Sequence, residues 1–146
     1  MSRQIFVNLP VRDLARSKAF FAALGFTFNP RFTDEKAACM VIGEGIYAML
    51  LVEGFFQTFT SKRIADAGEV AEVMICLSCT SRDEVDELVA RAIAAGGRAA
   101  REARDHGVMY EHAFEDPDGH IWELAWMDPS MDATADCPGE LAEAAP

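Results

Sequence analysis

Four polar side chains lie in otherwise apolar, strand-like segments and are the first candidates for chemistry: Asn8, Tyr110, His112 and Glu123. Glu123 comes four residues after the turn-forming sequence that ends at Gly119. A carboxylate among apolar neighbours is poorly solvated, so Glu123 could act as a general base or as a hydrogen-bond donor near neutral pH. The alternative is a structural role, in which Asn8 or backbone groups hold the carboxylate.

Cysteines are the second class of candidates: Cys39, Cys76, Cys79 and Cys137. Cys76 and Cys79 have the spacing of zinc and redox motifs, but in a strand a three-residue offset sends two side chains to opposite faces. The sequence contains no second pair with this spacing. Because the chain has enough apolar residues to fold without disulfides, we interpret all four as reduced thiols.

The charge of the chain excludes some partners. Thirteen Lys and Arg against twenty-four Asp and Glu give a net charge of −11, which repels phosphate backbones and anionic membrane surfaces. No apolar run approaches the ~20 residues that a membrane helix needs, and the first residues lack the features of a signal peptide. We therefore expect a cytoplasmic protein that binds neither nucleic acid nor membrane.

The elements that position these residues form an internal repeat, because the chain reads twice as a strand, a helix and then three strands. In the first half, residues 4–11 alternate as a strand and a helix runs from Asp13 to Gly25. In the second half, residues 73–79 alternate in the same way, and Ser81 to Glu84 form a capping box that opens a helix. The predicted organisation is module one (4–53), a linker (54–69), module two (70–127) and an acidic C-terminal tail (128–146), so that residues 1–127 make one domain.

Strand alternation predicts which side chains share a face. Ile5, Val7, Leu9 and Val11 should pack on the helices, leaving Phe6 and Asn8 on the opposite side. Trp122, Leu124 and Trp126 should likewise pack on helices, leaving Glu123 on that opposite side. Residues 108–115 leave a choice, since either Tyr110 and His112 face the same space as Glu123 or Glu111 does. Arg98, Arg101 and Arg104 would not share a face in a regular strand, and we interpret them as solvated charges.

Three segments resemble the vicinal oxygen chelate superfamily, which includes glyoxalases, bleomycin-resistance proteins and extradiol dioxygenases: residues 9–14, 19–26 and 115–124. Within this group, the chain is most similar to bacterial proteins described as predicted lactoylglutathione lyases, over roughly residues 4–127. The resemblance implies an α+β fold in which two tandem βαβββ modules form a curved, incompletely closed mixed β-barrel with helices outside. It also implies a ligand cavity inside the barrel and a homodimer.

The resemblance also indicates where superfamily members with metal chemistry place their ligands. The corresponding positions are Phe6, Met74, Glu123 and Met49, or Leu51 if the register slips by two residues. Three of these four positions carry apolar side chains, whereas a divalent ion needs several nitrogen, oxygen or thiolate donors. We therefore expect no family-type metal and no other cofactor.

The predicted pocket is mainly apolar with a few polar groups, and Glu123 is its candidate catalytic residue. The candidate ligand-binding residues are Phe6, Asn8, Tyr47, Met49, Leu51, Met74, Tyr110 and His112. Such a mixture suits a small, largely apolar organic molecule bound in a cavity between the modules. The alternative is a metal-dependent isomerase or lyase of the lactoylglutathione type, in which Glu123 shuttles a proton. A divalent metal would then require a shifted register that brings Asn8, His112 and Glu123 together.

Overall fold

Two successive βαβββ modules account for most of residues 2–131, the part of the chain that the computed structural model describes. The first module contains β1 (Ile5–Val11), α1 (Leu14–Ala23), β2 (Thr27–Asn29), β3 (Ala37–Gly43) and β4 (Ile46–Val52). A short helix α2 (Glu53–Phe56) and a 3-10 turn (Gln57–Phe59) begin the linker. The second module contains β5 (Met74–Cys79), α3 (Arg82–Ala94), β6 (Arg98–Asp105), β7 (Met109–Glu115) and β8 (Ile121–Met127).

Each module forms one four-stranded mixed sheet, and the two sheets have equivalent strand orders. The orders are β1-β4-β3-β2 and β5-β8-β7-β6, with the first-named pair parallel and the other neighbours antiparallel. In the described part of the chain, no strand pairing joins the two sheets, so the barrel is not closed. The predicted α+β fold of two repeated modules is confirmed.

The two long helices begin at polar caps, as the sequence predicts. The Asp13 carboxylate accepts a hydrogen bond from the Arg16 amide at 3.1 Å, and the Ser81 hydroxyl accepts one from the Glu84 amide at 3.0 Å. The capping box at α3 is only partly formed, because the Glu84 carboxylate accepts from the amide of Thr80 at 2.8 Å rather than from that of Ser81.

Both modules share one hydrophobic core. From α1, Phe20 lies 5.8 Å from the Phe114 ring of β7, and Phe21 lies 5.2 Å from the Trp122 ring of β8. Leu124 is also buried in this cluster, as the alternation of β8 predicts. The helix of the first module therefore packs against the sheet of the second, which fixes the two modules relative to each other.

The turn before β8 ties the modules together through two aspartates. Asp116 is buried, and its Oδ1 accepts from the amides of Asp118 and His120, each at 3.0 Å, while its Oδ2 accepts from the Trp122 indole at 3.1 Å. The Asp118 carboxylate accepts from the Arg12 amide at 2.9 Å in the first module. This turn thus orients the start of β8 and holds it against the end of β1.

Two further sequence predictions fall at the edges of the described chain. Of the predicted acidic tail, the structure describes a 3-10 turn at Pro129–Met131, while 132–146, with Cys137, lie outside the described residues. Among the helices of residues 2–131, none has the length and apolarity that crossing a bilayer requires.

Asp116→Asn should lower the free energy of unfolding by about 1–3 kcal/mol, because the amide keeps one acceptor for the backbone donors but leaves the buried Trp122 indole without one. Urea unfolding followed by far-UV circular dichroism measures the loss. Asp128→Asn is the matched control, since Asp128 accepts its hydrogen bonds on the exposed surface. Equal losses in the two variants would contradict the role assigned to the buried turn.

Candidate functional site

The candidate site lies on the open face, which we define as the side of the two sheets turned away from α1 and α3. On β1, Leu9 and Val11 enter the core, so the alternate residues Phe6 and Asn8 point to the open face. On β8, Trp122 and Leu124 enter the core, and Glu123 points to the open face. These placements agree with the alternation read from the sequence.

The open face of the first sheet carries an aromatic pair. Phe6 and Tyr47 are partners across β1 and β4, and their rings stack with centroids 4.8 Å apart and planes 12° apart. Phe6 is 50% exposed, which leaves an apolar ring available to a ligand. Met49 is half-buried beside this pair, and Leu51 lies on the same face of β4 but is only 2% exposed. That Leu51 lines a pocket stays a prediction.

Tyr110 and His112 lie on the other side of the second sheet, facing α3. The Tyr110 hydroxyl donates to the Asp86 carboxylate of α3 at 2.6 Å, and His112 pairs across the ladder with the buried Leu124. The prediction that these two residues share a face with Glu123 is wrong. The structure agrees with the other alternative, in which Glu111 shares a face with Glu123. Ala113 is the partner of Glu123 across β7 and β8, so Glu111, two residues before Ala113, also faces the open side.

Glu123 is not an isolated carboxylate. The Arg101 guanidinium lies 3.1 Å from Glu123 and 3.3 Å from Glu111, so one cation holds two carboxylates. All three side chains are about one-fifth exposed, at 21%, 19% and 22% for Arg101, Glu111 and Glu123. Arg104 extends this cluster, with its guanidinium 3.8 Å from Glu111. The expectation of a lone carboxylate is therefore wrong, since Glu123 forms an ion pair with Arg101.

Two irregularities in β6 explain why sequence reasoning missed this cluster. The pairing register shifts between Ala99 and Arg101 and again between Arg101 and Arg104. Each shift resets the alternation of side chains, so Arg101 and Arg104 both lie opposite open-face positions of β7. The Arg98 guanidinium lies on the same side of the sheet, 3.2 Å from the Glu115 carboxylate. The inference that the three arginines cannot share a face assumed a regular strand and is wrong.

Cys76 is the open-face residue directly across from Glu123, whereas Cys79 packs against the core. Burial raises the pKa of the Cys76 thiol, the nearby carboxylates of Glu123 and Glu111 raise it further, and Arg101 opposes them. Burial, with Glu84 nearby, raises the pKa of Cys79 to about 12. The two thiols are free and lie on opposite faces, so their spacing does not form a metal or redox pair.

A cavity of about 470 Å³ lies where the linker crosses the meeting point of the two modules. Its walls come from three parts of the chain: Asn8 and Pro10 of β1, Phe56 to Val73 of the linker region, and the segment 119–121 that opens β8. The volume is in the range of small-molecule sites. Of the predicted ligand-binding residues, Asn8 lines this cavity, while the aromatic pair, Met49 and Met74 lie elsewhere on the strands.

The linker is fixed against both modules around this cavity. The Arg12 guanidinium lies 2.7 Å from the Asp66 carboxylate, and Gly119 approaches the Ala67 backbone so closely that an added Cβ would be 2.7 Å from its carbonyl oxygen. His120 Nε2 lies 2.7 Å from the Pro10 carbonyl oxygen, and since a carbonyl only accepts, this nitrogen carries the proton. The predicted linker is therefore a wall of the cavity.

Comparisons with known proteins give the fold and a family match over part of the chain. A family profile described as "Bleomycin resistance protein-like N-terminal" matches residues 3–43. A hypothetical protein from S. aureus is 32% identical, with a TM-score of 0.73 over 86% of this chain and 95% of that chain. A glyoxalase/bleomycin resistance protein/dioxygenase family enzyme from Burkholderia phytofirmans is 16% identical, with a TM-score of 0.72 over 86% and 99%. The chain therefore has the fold of glyoxalase/bleomycin resistance/dioxygenase structures, and its residues 3–43 match a bleomycin resistance protein-like profile.

A further solved structure shares the fold. The fosfomycin resistance protein FosX from Listeria monocytogenes is 21% identical, with a TM-score of 0.64 over 89% of this chain and 97% of that chain. No curated protein sequence matches the chain at a significant level.

The positions that the sequence resemblance assigns to metal ligands carry side chains that do not fit a metal. Phe6, Met49 and Met74 offer no donor for a hard cation, and the carboxylate of Glu123 is bound to Arg101. Among residues 2–131, no group of three or more His, Cys, Asp or Glu is arranged to hold an ion. The shifted register that would combine His112 with Glu123 is also wrong, because these residues face opposite sides of the sheet.

Alkylation of Cys76 should report the charge of the cluster. Glu123→Gln removes a carboxylate that raises the thiol pKa, so Cys76 should react several-fold faster with iodoacetamide at pH 8. Arg101→Met removes the cation that lowers this pKa, so the reaction should slow. Peptide mapping by mass spectrometry gives both rates.

Cys79 is the internal control for this experiment, since its raised pKa arises from burial and from Glu84 rather than from Glu123. If Cys76 and Cys79 changed by the same factor, or if both variants changed Cys76 in the same direction, the proposed electrostatic cluster would be refuted.

Proposed function

We propose that this protein is a member of the vicinal oxygen chelate superfamily, that it binds a small, largely apolar organic molecule in the cavity between its modules, and that it does so without the family metal. The observation that supports this most directly is the cavity itself, because it has the volume of a small-molecule site and takes its walls from both modules and the linker. The unsuitable side chains at the metal positions support the second part of the proposal.

The lining suits a ligand with an apolar body and a small number of polar groups. Phe56, Val70 and Val73 supply apolar walls, and the Asn8 amide supplies both a donor and an acceptor at the edge of β1. Asn8 also adjoins the exposed Phe6–Tyr47 pair along the open face. A longer ligand could therefore extend from the cavity over an aromatic surface.

Glu123 is proposed as the catalytic residue only if the protein proves to be an enzyme. Its carboxylate is bound to Arg101, so removing a proton from a ligand would require this ion pair to open or to shift. Arg101 would then remain beside the reacting group and could stabilise negative charge there. The fold likeness to a fosfomycin resistance protein favours binding or resistance to a small molecule over a structural role. The homodimer and the cytoplasmic location inferred from the sequence remain proposals.

Filling the cavity should remove binding of a neutral apolar probe. We expect N-phenyl-1-naphthylamine to bind the wild-type protein, and Ala71→Trp to weaken this binding about tenfold, because Ala71 lines the cavity and a Trp side chain occupies much of it. Fluorescence titration measures both affinities. Ala19→Trp is the matched control, since Ala19 is exposed on α1. Equal affinities for the wild type and Ala71→Trp would count against this cavity as the binding site.

Metal analysis separates the proposal from the lyase alternative. Protein purified without chelator should hold far less than one Ni, Zn or Mn per chain, and added metal should not produce turnover of methylglyoxal with glutathione, because one ion-paired carboxylate is too few donors. Elemental analysis and a thioester absorbance assay give the two readouts. Near-stoichiometric metal that is lost in Glu123→Ala would overturn the metal-free proposal and support the lyase.

A further inference from the structure

The cavity carries two cations in a chain that is strongly acidic. Lys62 and Arg63 both line it, and Glu72 is the one carboxylate among the described lining residues, although the chain has a net charge of −11. Within residues 2–131, neither cation forms an ion pair. By contrast, most other arginines around the second sheet are paired with carboxylates, as Arg82, Arg98 and Arg101 show.

The backbone that carries these cations is held by hydrogen bonds that do not use their charged groups. The Gln57 side-chain amide donates to the carbonyl oxygens of Thr60 and Lys62 at 2.9 and 2.8 Å. The Lys62 amide donates to the Thr60 hydroxyl at 3.1 Å. On the far side of the two cations, Asp66 is fixed by Arg12. A loop braced on both sides lowers the entropy cost of presenting Lys62 and Arg63 to a ligand.

The walls next to the cations are apolar and strengthen their effect. Phe56, Ile64 and Ile121 line the same cavity and are themselves half-buried. Charge interactions are stronger where water is excluded, so an anionic group bound beside these walls gains more from the cations than it would on an open surface.

We propose that the ligand of this cavity is an organic anion, with an apolar body between the linker and the two modules and a carboxylate, sulfonate or phosphonate beside Lys62 and Arg63. This inference rests on the proposed function, because it names the chemical class of the small molecule that the cavity binds. Lys62 and Arg63 are binding residues, and Gln57 positions them through the linker backbone.

Two fluorescent probes of similar size test the inference. The anionic 8-anilinonaphthalene-1-sulfonate should bind the wild-type protein more tightly than the neutral N-phenyl-1-naphthylamine. The double substitution Lys62→Met and Arg63→Met should weaken binding of the anionic probe by about fivefold or more and leave the neutral probe within about twofold. Added salt should weaken only the anionic probe, since salt screens charges.

A double substitution elsewhere provides the control for overall charge. Lys18→Met with Arg31→Met removes the same two charges from α1 and from the turn after β2, neither of which lines the cavity. It should leave both affinities near the wild-type values. A matching loss of the anionic probe in this control would show that only net charge matters, and it would overturn the inference.

The outcomes also distinguish the two levels of the proposal. If the neutral probe binds as tightly as the anionic one and Lys62→Met with Arg63→Met changes neither, the anion preference is wrong while the small-molecule cavity stands. If neither probe binds the wild-type protein, or if Ala71→Trp affects neither, the proposed function itself fails.

Discussion

The packing of α1 between the two sheets is the contact on which the rest of the structure depends. Phe20 and Phe21 belong to the first module, but their rings lie against Phe114 and Trp122 of the second. Burying large aromatic side chains contributes roughly 1.5–3 kcal/mol each, so four of them in one cluster are a strong constraint on the angle between modules. The cavity depends on this contact because its walls come from both modules.

The Arg101 cluster shows how the open face holds two carboxylates close together. A guanidinium is permanently charged and offers several N–H donors in a fixed geometry. The Arg101 guanidinium therefore holds the carboxylates of Glu123 and Glu111, at 3.1 and 3.3 Å. Unlike a metal ion, it has no open coordination position for a substrate oxygen. This difference supports the proposal of a site that works by shape and charge, without a metal.

The repeated modules and the faces of β1 and β8 could be predicted from the sequence, because alternation and helix caps are local signals. The face of Glu111 and the cluster around Arg101 could not, since two register shifts in β6 break the alternation and leave no local pattern. The sequence did contain one signal for this cluster, namely three arginines in β6 and the two glutamates Glu111 and Glu115 in the neighbouring β7. The linker was also beyond sequence reasoning, because its position depends on distant contacts such as Arg12 with Asp66.

β1 and β5 are both terminal strands in their sheets, and in the described residues no backbone hydrogen bond ladder spans the gap between them. The two sheets are therefore joined by core side chains and by hydrogen bonds such as that between Arg12 and Asp118 rather than by strand pairing. A cavity whose walls come from both modules keeps its shape only while the shared aromatic core stays packed, because no backbone ladder holds the two sheets in register.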